Sequence, residues 1–405
     1  MKPDAFDVVI LGAGVAGCAT ALSLHAVGIT DIVLVEAGSS ARNDWVGESL
    51  PPDISVLLKA LNLWDLFRSD DHEPCFGSCS AWGSPNLGYN DFISNASGSG
   101  WHIHRQRFDR LFRQALAARG IPIRGQQRLA CAEALPVDGG FRLRLRANNN
   151  EATIIARHVV DATGPRAAFA RCVGARSIRH DLLVFITVTA ALAPEAWPSR
   201  LTMTETVEDG WWYAARLPGN RLSLAFATDP EISRARRLDR PREWLNALAA
   251  THHIGPRLAG TRFGLGPVVV RAVPVSERER PCGARWTAVG DAAAIFDPLG
   301  SEGIYKAIED GIRAAQVIHA SLRRQQDQSA DYAVRVAENI GNHLSLRRHF
   351  YALERQWPDS PFWRRRSDEA AVSVSRGMKP IHDLRLQRFG SPLEGYRHGG
   401  NYGTN

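Results

Sequence analysis

The chain has 405 residues, of which 44% are hydrophobic and 22% are charged, so its composition excludes disordered, coiled-coil and collagen-like classes. Its formal net charge is +7, from 49 basic and 42 acidic residues, yet no nucleic-acid-binding module follows from the order of its elements. Six cysteines without C-x-x-C pairs argue against a zinc site or a disulfide framework and favour free thiols in a reducing compartment.

Membrane segments are not predicted either. No apolar stretch reaches the roughly 20 residues that a membrane helix needs, and the most apolar one, residues 8–27, is interrupted by glycines. The N-terminus carries Asp4 and Asp7 instead of the basic region of a signal peptide. We therefore expect a cytoplasmic protein with no metal, no membrane contact and no nucleic-acid partner.

The first elements form a strand, helix, strand unit. Residues 8–11 are β-branched and apolar, a glycine-rich turn and a helical pattern over residues 16–27 follow, and residues 32–35 form a second strand. Such a unit requires a parallel sheet and a right-handed crossover. Further helices are predicted over residues 55–67 and 108–119, and further strands over residues 141–146 and 154–160.

Residues 181–271 are mostly strands in pattern. The strands are predicted at residues 183–192, 201–207, 211–217 and 222–228, and Pro218-Gly219-Asn220 is a hairpin signal between the last two. This indicates an inserted antiparallel sheet that can form one wall of a substrate pocket. A short strand at residues 286–290 and helices over residues 302–324 and 332–356 follow.

Gly12, Gly14 and Gly17 form a G-x-G-x-x-G sequence between the first strand and helix, and Glu36 ends the second strand. Gly12 allows the tight turn, Gly14 lets the backbone approach a pyrophosphate, Gly17 permits close helix packing, and Glu36 can accept from both ribose hydroxyls. This pattern predicts dinucleotide binding; a purely structural glycine turn is the alternative. The acidic residue disfavours a 2′-phosphate, which leaves FAD or NAD.

Two later strand ends also carry glycine beside an acidic residue. They are Asp161 to Gly164 and Gly290-Asp291. An extended cofactor needs three such ends, because each contacts a different part of it, whereas an NAD domain needs no third element. The set resembles the FAD-binding framework of class A flavoprotein monooxygenases. The resemblance implies that Gly290-Asp291 holds the ribityl-phosphate region, and that Arg105, in an R-x-x-F-D element, contacts phosphate.

The loop from Asp297 to Ile304 precedes a long helix, so its backbone amides lie at a helix N-terminus that stabilises negative charge. Reduced flavin is anionic around N1 and the C2 carbonyl, and the amides near Glu302, Gly303 and Ile304, with Gly300 in the same loop, suit it. The alternative is an ordinary helix N-cap with Ser301 as the hydrogen-bond acceptor. The cap and the flavin-binding role are compatible with each other.

Within this group, most of residues 5–365 resemble the flavin-dependent tryptophan halogenase superfamily. The matching segments are residues 45–51, around a G-E-S sequence, 210–213, with G-W-W-Y, and 297–304, with D-P-L-G-S-E-G-I. The departures concern catalysis. The halogenase lysine that captures hypohalous acid has no counterpart at residues 76–82, no lysine lies between Lys59 and Lys306, and Gly300 stands where their catalytic glutamate follows D-P-L.

Those departures imply oxygen transfer instead of halogenation. The FAD monooxygenases of cysteine tryptophylquinone maturation share these departures. Residues 210–213 and 357–365 also resemble segments of those enzymes. The resemblance implies a flavin C4a-hydroperoxide that hydroxylates an indole ring, that of a tryptophan in a partner polypeptide, during quinone cofactor biogenesis. Reducing equivalents come from NAD(P)H directly or from a separate flavin reductase.

The catalytic candidates are Glu48, Glu302 and Trp211. The two carboxylates are the first candidates for proton acceptors, and a structural role is the alternative for each. Trp211 belongs to an aromatic set that suits a dry, aromatic-binding pocket, although core packing is the bland interpretation of each member. The others are Trp45, Trp82, Trp101, Trp212 and Phe296. His102 and His104 are expected to be structural.

The resulting prediction is an α/β fold with a Rossmann-like FAD-binding domain of the glutathione-reductase/PHBH type. Residues 1–180 with 272–325 form that domain, 181–271 an antiparallel-sheet substrate domain, 326–389 a C-terminal helical region and 390–405 a flexible tail. The open alternatives are a hydroxylase of a free aromatic metabolite, a halogenase with displaced residues, an alkene-reducing flavoprotein of the geranylgeranyl reductase kind, and a non-catalytic FAD-stabilised binding protein.

Overall fold

The computed structural model of the chain describes residues 3–38, 48–136, 139–147, 150–193, 195–261, 264–323 and 326–373. In chain order its strands are β1 (Asp4–Leu11), β2 (Ile32–Val35), β3 (Ser49–Leu50), β4 (Glu73–Cys75), β5 (Gly77–Ala81), β6 (Gly88–Asp91), β7 (Gly100–His102), β8 (Ile123–Arg124), β9 (Arg128–Ala134), β10 (Phe141–Ala147), β11 (Asn150–Asp161), β12 (Ser177–Ala191), β13 (Thr202–Val207), β14 (Gly210–Leu217), β15 (Arg221–Thr228), β16 (Gly264–Leu265), β17 (Val269–Arg278), β18 (Cys282–Gly283), β19 (Trp286–Ala288) and β20 (Ala294–Ile295). The helices are α1 (Val15–Ala26), α2 (Ile54–Ala60), α3 (Trp64–Arg68), α4 (Arg105–Ala118), α5 (Ala168–Cys172), α6 (Pro230–Arg236), α7 (Pro241–Ala249), α8 (Ile254–Leu258), α9 (Gly303–Arg323), α10 (Ser329–Leu353) and α11 (Pro361–Ser373). Short 3-10 helices lie at Gly164–Arg166, Gly290–Ala292 and Pro298–Gly300.

The first sheet has a parallel centre of buried, β-branched strands. β1 lies between β2 and β11 and is parallel to both, and β11 in turn is parallel to β19. Leu11 pairs with Val35 and Asp161, and Asp161 pairs with Ala288. The carboxyl ends of these strands therefore meet at one edge, where α/β sheets bind their ligands.

Helix α9 packs closely on α1 over this sheet. A Cβ on Gly311 would lie 2.9 Å from both the Ala16 carbonyl oxygen and the Thr20 nitrogen. Gly311 therefore permits a close approach of α9 to α1 that a side chain would prevent.

The second sheet is mostly antiparallel, in the order β20-β17-β12-β15-β14-β13-β5-β6, with β16 beside β12. Its alternating side chains cover two faces. One face, with Trp212, packs against α7 and α8, and the other, with Trp211, packs against α10 and α11. A small third sheet, β3-β7-β4, connects the two larger ones.

The predicted α/β fold is confirmed, with a parallel Rossmann-like unit and an antiparallel sheet inserted after it. The hairpin at Pro218-Gly219-Asn220 is confirmed by the pairing of β14 with β15. The division into residues 1–180 with 272–325, 181–271 and 326–389 stays a prediction. Residues 374–389 of the C-terminal region and the tail, 390–405, lie outside the described residues.

Two predictions were wrong. The single helix over residues 55–67 is broken into α2 and α3, because Asn62 adopts a left-handed conformation with φ of +54°. The insertion is less strand-rich than predicted, because α6, α7 and α8 follow β15.

Within the described ranges, no helix combines the length and the apolar character that crossing a bilayer requires.

Candidate active site

The glycine turn between β1 and α1 is shaped by contacts that exclude side chains on its inner side. Gly12 has a φ of +106°, and a Cβ there would lie 2.2 Å from the Ala162 carbonyl oxygen. A Cβ on Gly17 would lie 2.0 Å from the Gly12 carbonyl oxygen. A Cβ on Gly14 would meet no described atom within 4 Å. The turn is thus a cradle, closed inside and open at Gly14, as close approach of a pyrophosphate requires.

The Glu36 carboxylate is fixed at the end of β2. Its Oε2 accepts a hydrogen bond from the Ala13 N–H at 2.9 Å, and its Oε1 accepts one from the Gly38 N–H at 3.0 Å. Each carboxylate oxygen keeps a further lone pair. Glu36 therefore lies beside the glycine turn with acceptor capacity for the hydroxyls of a ribose.

The end of β11 is organised by Asp161. Its Oδ1 accepts from the Thr163 N–H at 3.0 Å and from the Thr163 hydroxyl at 2.6 Å, and its Oδ2 accepts from the Ala170 N–H at 2.8 Å. Gly164 then has a φ of +66° and open space at its Cβ position. Asp161 is a structural residue that sets the turn, and Gly164 presents backbone to the strand-end edge.

At the third strand end, the charge of Arg105 acts on Asp291. Burial raises the pKa of Asp291, while the charges of Lys306 and Arg105 act in the opposite direction. Arg105 also donates its Nε–H to Asp109 at 2.9 Å. Within the R-x-x-F-D element, Asp109 therefore fixes the Arg105 guanidinium through an i, i+4 pair on α4.

A lysine–aspartate pair that sequence reasoning missed holds the same turn. The Lys306 ammonium donates to the Gly290 carbonyl oxygen at 2.9 Å and to Asp310 Oδ2 at 2.7 Å, and that Oδ2 also accepts from the Gly290 N–H at 3.0 Å. Both side chains are buried. Their i, i+4 spacing on α9 was the available signal.

The loop before α9 is held at Asp297. Asp297 Oδ1 accepts from the Leu299 N–H at 3.0 Å, Ser301 has a φ of +51°, and a Cβ on Gly303 would meet nothing within 4 Å among the described residues. Gly300, Gly303 and Ile304 thus lie where a loop turns into a helix N-terminus with open space beside it. That arrangement fits the anionic edge of a reduced flavin ring.

Buried charges tie this loop to the C-terminal helices. Arg347 on α10 donates its Nε–H to Asp297 Oδ2 at 2.9 Å and also pairs with Asp181 on β12. Arg366 on α11 donates to Asp181 Oδ2 at 2.9 Å, and both arginine side chains are 1% exposed. The loop, the second sheet and the C-terminal helices therefore share one charge network.

Trp211 is placed in this buried region. Its indole Nε1–H donates to the Tyr351 hydroxyl at 3.0 Å, and that hydroxyl donates to Asp297 Oδ2 at 3.1 Å. The Trp211 ring also contacts Trp82 and Phe185, with centroids 6.0 and 5.4 Å away. These contacts favour a structural role for Trp211, in which it orients the tyrosine that holds the loop.

Glu48 is 6% exposed and lies between the small sheet and the second sheet. Its backbone carbonyl accepts from Ile103 N–H at 2.8 Å, and its carboxyl group has a hydrogen bond with Ser223 on β15. Burial raises the pKa of Glu48 to about 7, although the charges of Arg221 and Arg105 oppose the shift. Its Oε2 has no hydrogen-bond partner among the described residues. Glu48 can therefore gain or lose a proton near neutral pH.

Replacement of Glu48 by glutamine is expected to change how stability depends on pH. The carboxyl pKa is 4.5 ordinarily and about 7 in the fold, so between these values the folded chain keeps a proton that the unfolded chain has lost. Stability therefore falls as pH rises from about 4.5 to 7, by roughly 3 kcal/mol, and levels off above. Urea unfolding of wild type and Glu48→Gln at several pH values measures this.

The control is Glu133→Gln, at an exposed carboxylate paired with Arg142 at 3.1 Å. Its pH profile should parallel that of the wild type, while the Glu48→Gln profile should lose the decline between pH 4.5 and 7. Parallel profiles for all three proteins would contradict the placement of Glu48.

The described members of the aromatic set do not line one pocket, so that prediction was wrong for them. Trp211 and Trp212 point to opposite faces of the second sheet because they are neighbours on one strand. Trp101 packs on Phe67 in the first core, with centroids 5.2 Å apart, and Trp82 donates its indole N–H to the Phe350 carbonyl oxygen. Trp45 lies outside the described residues.

His102 is buried and hydrogen-bonded within the protein, as its structural interpretation expects. Its Nε2 lies 3.1 Å from the Thr202 hydroxyl, and burial lowers its pKa to about 4. The pKa of His104 is also lowered, first by burial and then by the charges of Arg221 and Arg107.

The structure therefore brings together Gly12, Gly17, Gly164 and the turn that precedes Asp291 at one sheet edge, with Glu36 beside the glycine turn. A Cβ at Gly14, Gly164 or Gly303 would meet no described atom within 4 Å, so the backbone at each of these positions leaves room for a bound cofactor. His343, Arg347 and Tyr351 hold the adjoining loop and were missed, because each acts from α10, far along the chain.

The comparisons with known proteins agree with this geometry. A family model described as FAD binding domain matches residues 5–341. A putative FAD-dependent oxidoreductase, LodB of Marinomonas mediterranea, is 28% identical over 384 residues, which are 91% of this chain and 99% of that protein.

Two solved structures are similar in fold. The myxobacterial chondrochloren halogenase CndH has a TM-score of 0.81 and 20% identity, over 92% of this chain and 90% of its own. The peptidyl tryptophan dihydroxylase QhpG, described as essential for tryptophylquinone cofactor biogenesis, has a TM-score of 0.65 and 24% identity, over 89% of this chain and 78% of its own.

Proposed function

Because the chain belongs to the FAD-binding-domain family and is thus a flavin-dependent oxidoreductase with FAD as its cofactor, we propose that it is a monooxygenase that hydroxylates an indole ring. The proposed ring is that of a tryptophan in a partner polypeptide, modified during quinone cofactor biogenesis. When bound, reduced FAD together with O2 supplies the electrophilic oxygen atom, and the chain supplies binding, orientation and exclusion of water.

The observation that favours oxygen transfer over halogenation is where the lysines lie and what their ammonium groups contact. No lysine lies between Lys59 and Lys306 in the sequence. The Lys306 ammonium is buried and engaged by Asp310 and the Gly290 carbonyl oxygen, while the Lys59 ammonium lies 5.7 Å from the Trp64 ring centroid. The Lys306 ammonium is thus already engaged within the fold, Lys59 lies exposed on α2 outside the segment that corresponds to the one carrying the halogenase lysine, and position 300 has no side chain.

The proposed cofactor contacts follow the strand ends. Gly12, Gly14 and Gly17 would hold the pyrophosphate, and Glu36 the ribose. Gly164, Asp291 and Arg105 would bind the middle of the cofactor. The loop residues that would face the flavin ring are Gly300, Gly303 and Ile304.

The proposed substrate-side groups are two carboxylates. Glu48 lies against Ser223 on the second sheet and changes protonation near neutral pH. Glu302 lies in the loop that precedes α9. Both are proposed to exchange protons with the substrate, and Trp211 is proposed to hold the loop through Tyr351.

The polypeptide substrate is supported by the likeness to QhpG, whose described substrate is a peptidyl tryptophan. The likeness to LodB extends over nearly all of both chains. Neither relative fixes the source of reducing equivalents, for which NAD(P)H and a separate flavin reductase are both compatible.

The test compares substrates under one set of conditions. Protein with FAD, NADH, a flavin reductase and air is supplied with tryptophan-containing peptides, free tryptophan, indole or a simple phenol. The proposal expects substrate-dependent O2 consumption and oxygen added to the peptide tryptophan. Oxygen added only to a free ring would establish the alternative, a hydroxylase of an aromatic metabolite, and would overturn the peptide substrate.

A further inference from the structure

His343 on α10 is buried against the loop that precedes α9. Its ring is 4% exposed and stacks on Phe296, with centroids 4.2 Å apart and an interplanar angle of 14°. Its Nε2 accepts a hydrogen bond from the Asp297 backbone N–H at 2.8 Å. A backbone N–H can only donate, so this Nε2 carries a lone pair and no proton. The ring proton of the neutral imidazole is therefore on Nδ1.

The protonated Nδ1 faces a carboxylate. It lies 3.7 Å from Oε2 of Glu302, whose side chain is 16% exposed. This separation exceeds a hydrogen bond, but catalytic hydrogen bonds are often long until the substrate binds, and a movement of under about 1 Å would close it. The backbone N–H of Asp297 thus holds His343 in one tautomer, and in that tautomer the Nδ1–H faces the Glu302 carboxylate.

Gly300 makes room for that carboxylate. A Cβ at position 300 would lie 3.2 Å from both Cγ and Cδ of Glu302, a contact tighter than side chains normally accept. The Glu302 side chain therefore lies against the space that a side chain at position 300 would occupy. A side chain at position 300 would therefore press on the Glu302 carboxylate, and one of the two side chains would have to shift.

We propose that His343 is a positioning residue that orients the Glu302 carboxylate for proton transfer with the substrate, and that Gly300 is required for this arrangement. The proposal deepens the proposed function and rests on it for the role of the proton transfer. The placement of the pair itself, with its fixed tautomer, rests on the geometry alone.

Two matched variants separate the contacts of the imidazole. His343→Gln can place its side-chain oxygen near the Nε2 position and accept from Asp297, but it has no donor at the Nδ1 position. His343→Asn places its amide at the Nδ1 position and can donate to Glu302, but it loses the acceptor for Asp297. If His343 only supported the loop, the asparagine variant would be the more damaged.

The proposal expects the opposite order. Glu302→Gln and His343→Gln should each lower turnover by roughly 10² to 10⁴-fold, the usual contribution of a positioned acid or base. The double variant should be no slower than Glu302→Gln, because residues that act as a unit are not additive. His343→Asn should recover most of the loss. Multiplied losses in the double variant, or His343→Asn slower than His343→Gln, would overturn the proposal.

A second measurement does not depend on the reaction. Heteronuclear NMR of protein labelled in its histidine ring nitrogens, with His343→Gln to assign the signal, reports the tautomer. We expect Nδ1 protonated, Nε2 unprotonated, and a shift of the Nδ1 signal in Glu302→Gln. The Nε2–H tautomer, or an unmoved signal, would overturn the proposal. The expected signals in a protein without hydroxylase activity would count against the proposed function instead.

Discussion

Replacement of Arg347 by methionine is expected to lower the free energy of unfolding by about 3 to 5 kcal/mol, because it leaves buried carboxylates without their partner. The Arg347 side chain is 1% exposed, it donates to Asp297 at 2.9 Å, and it also pairs with Asp181. Asp297 then keeps Tyr351, but Asp181 depends on Arg366 alone among the ion pairs of the described residues. Urea unfolding measures the difference.

Arg335→Met is the matched control on the same helix. Arg335 pairs with Glu338 at 3.6 Å, and the two side chains are 51% and 57% exposed. Exposed pairs of this kind contribute less than about 0.5 kcal/mol. If the two variants lose the same stability, the charge network does not hold the loop to the C-terminal helices.

Gly14→Val is expected to weaken FAD binding strongly while leaving the fold unchanged. A Cβ at Gly14 meets no described atom within 4 Å, and its φ of −78° is ordinary for any residue, so the chain can accept the side chain. The valine would occupy the space through which the pyrophosphate approaches. A steric cost of about 3 kcal/mol weakens binding roughly 100-fold. Fluorescence titration with FAD and thermal unfolding without added FAD are the measurements.

Gly17→Val gives the contrasting outcome. A Cβ there would lie 2.0 Å from the Gly12 carbonyl oxygen, so this variant should be destabilised even without FAD. Unchanged FAD affinity in Gly14→Val would contradict the cofactor site. Equal losses of stability in both variants would contradict the distinction between an open and a closed side of the turn.

The parts of the fold that the sequence predicts are those with local signals. The strand, helix, strand unit at the N-terminus follows from a buried strand, a glycine turn and an acidic strand end within about 30 residues. The β14–β15 hairpin follows from Pro218-Gly219-Asn220 between two alternating strands. For α6 and α7 a local signal also exists, since Pro230 and Pro241 occupy first helical positions, as is common for proline.

The rest of the site has no local signal. His343 and Arg347 lie about 50 residues beyond Asp297, and Arg366 lies 185 residues beyond Asp181. A buried arginine and an exposed one look the same in a sequence. Trp211 was expected near the chemistry because its motif resembles one in halogenases, yet its indole N–H is used to hold Tyr351.

We propose that FAD bound at the strand-end edge gives an oxygen atom, and not a halogen, to an aromatic ring. The decisive measurement is mass spectrometry of products formed under isotopically labelled O2, with chloride and bromide both present in excess. We expect labelled oxygen on the ring and no dependence on halide. A chlorine or bromine isotope pattern in the product, lost when the halide is omitted, would contradict it.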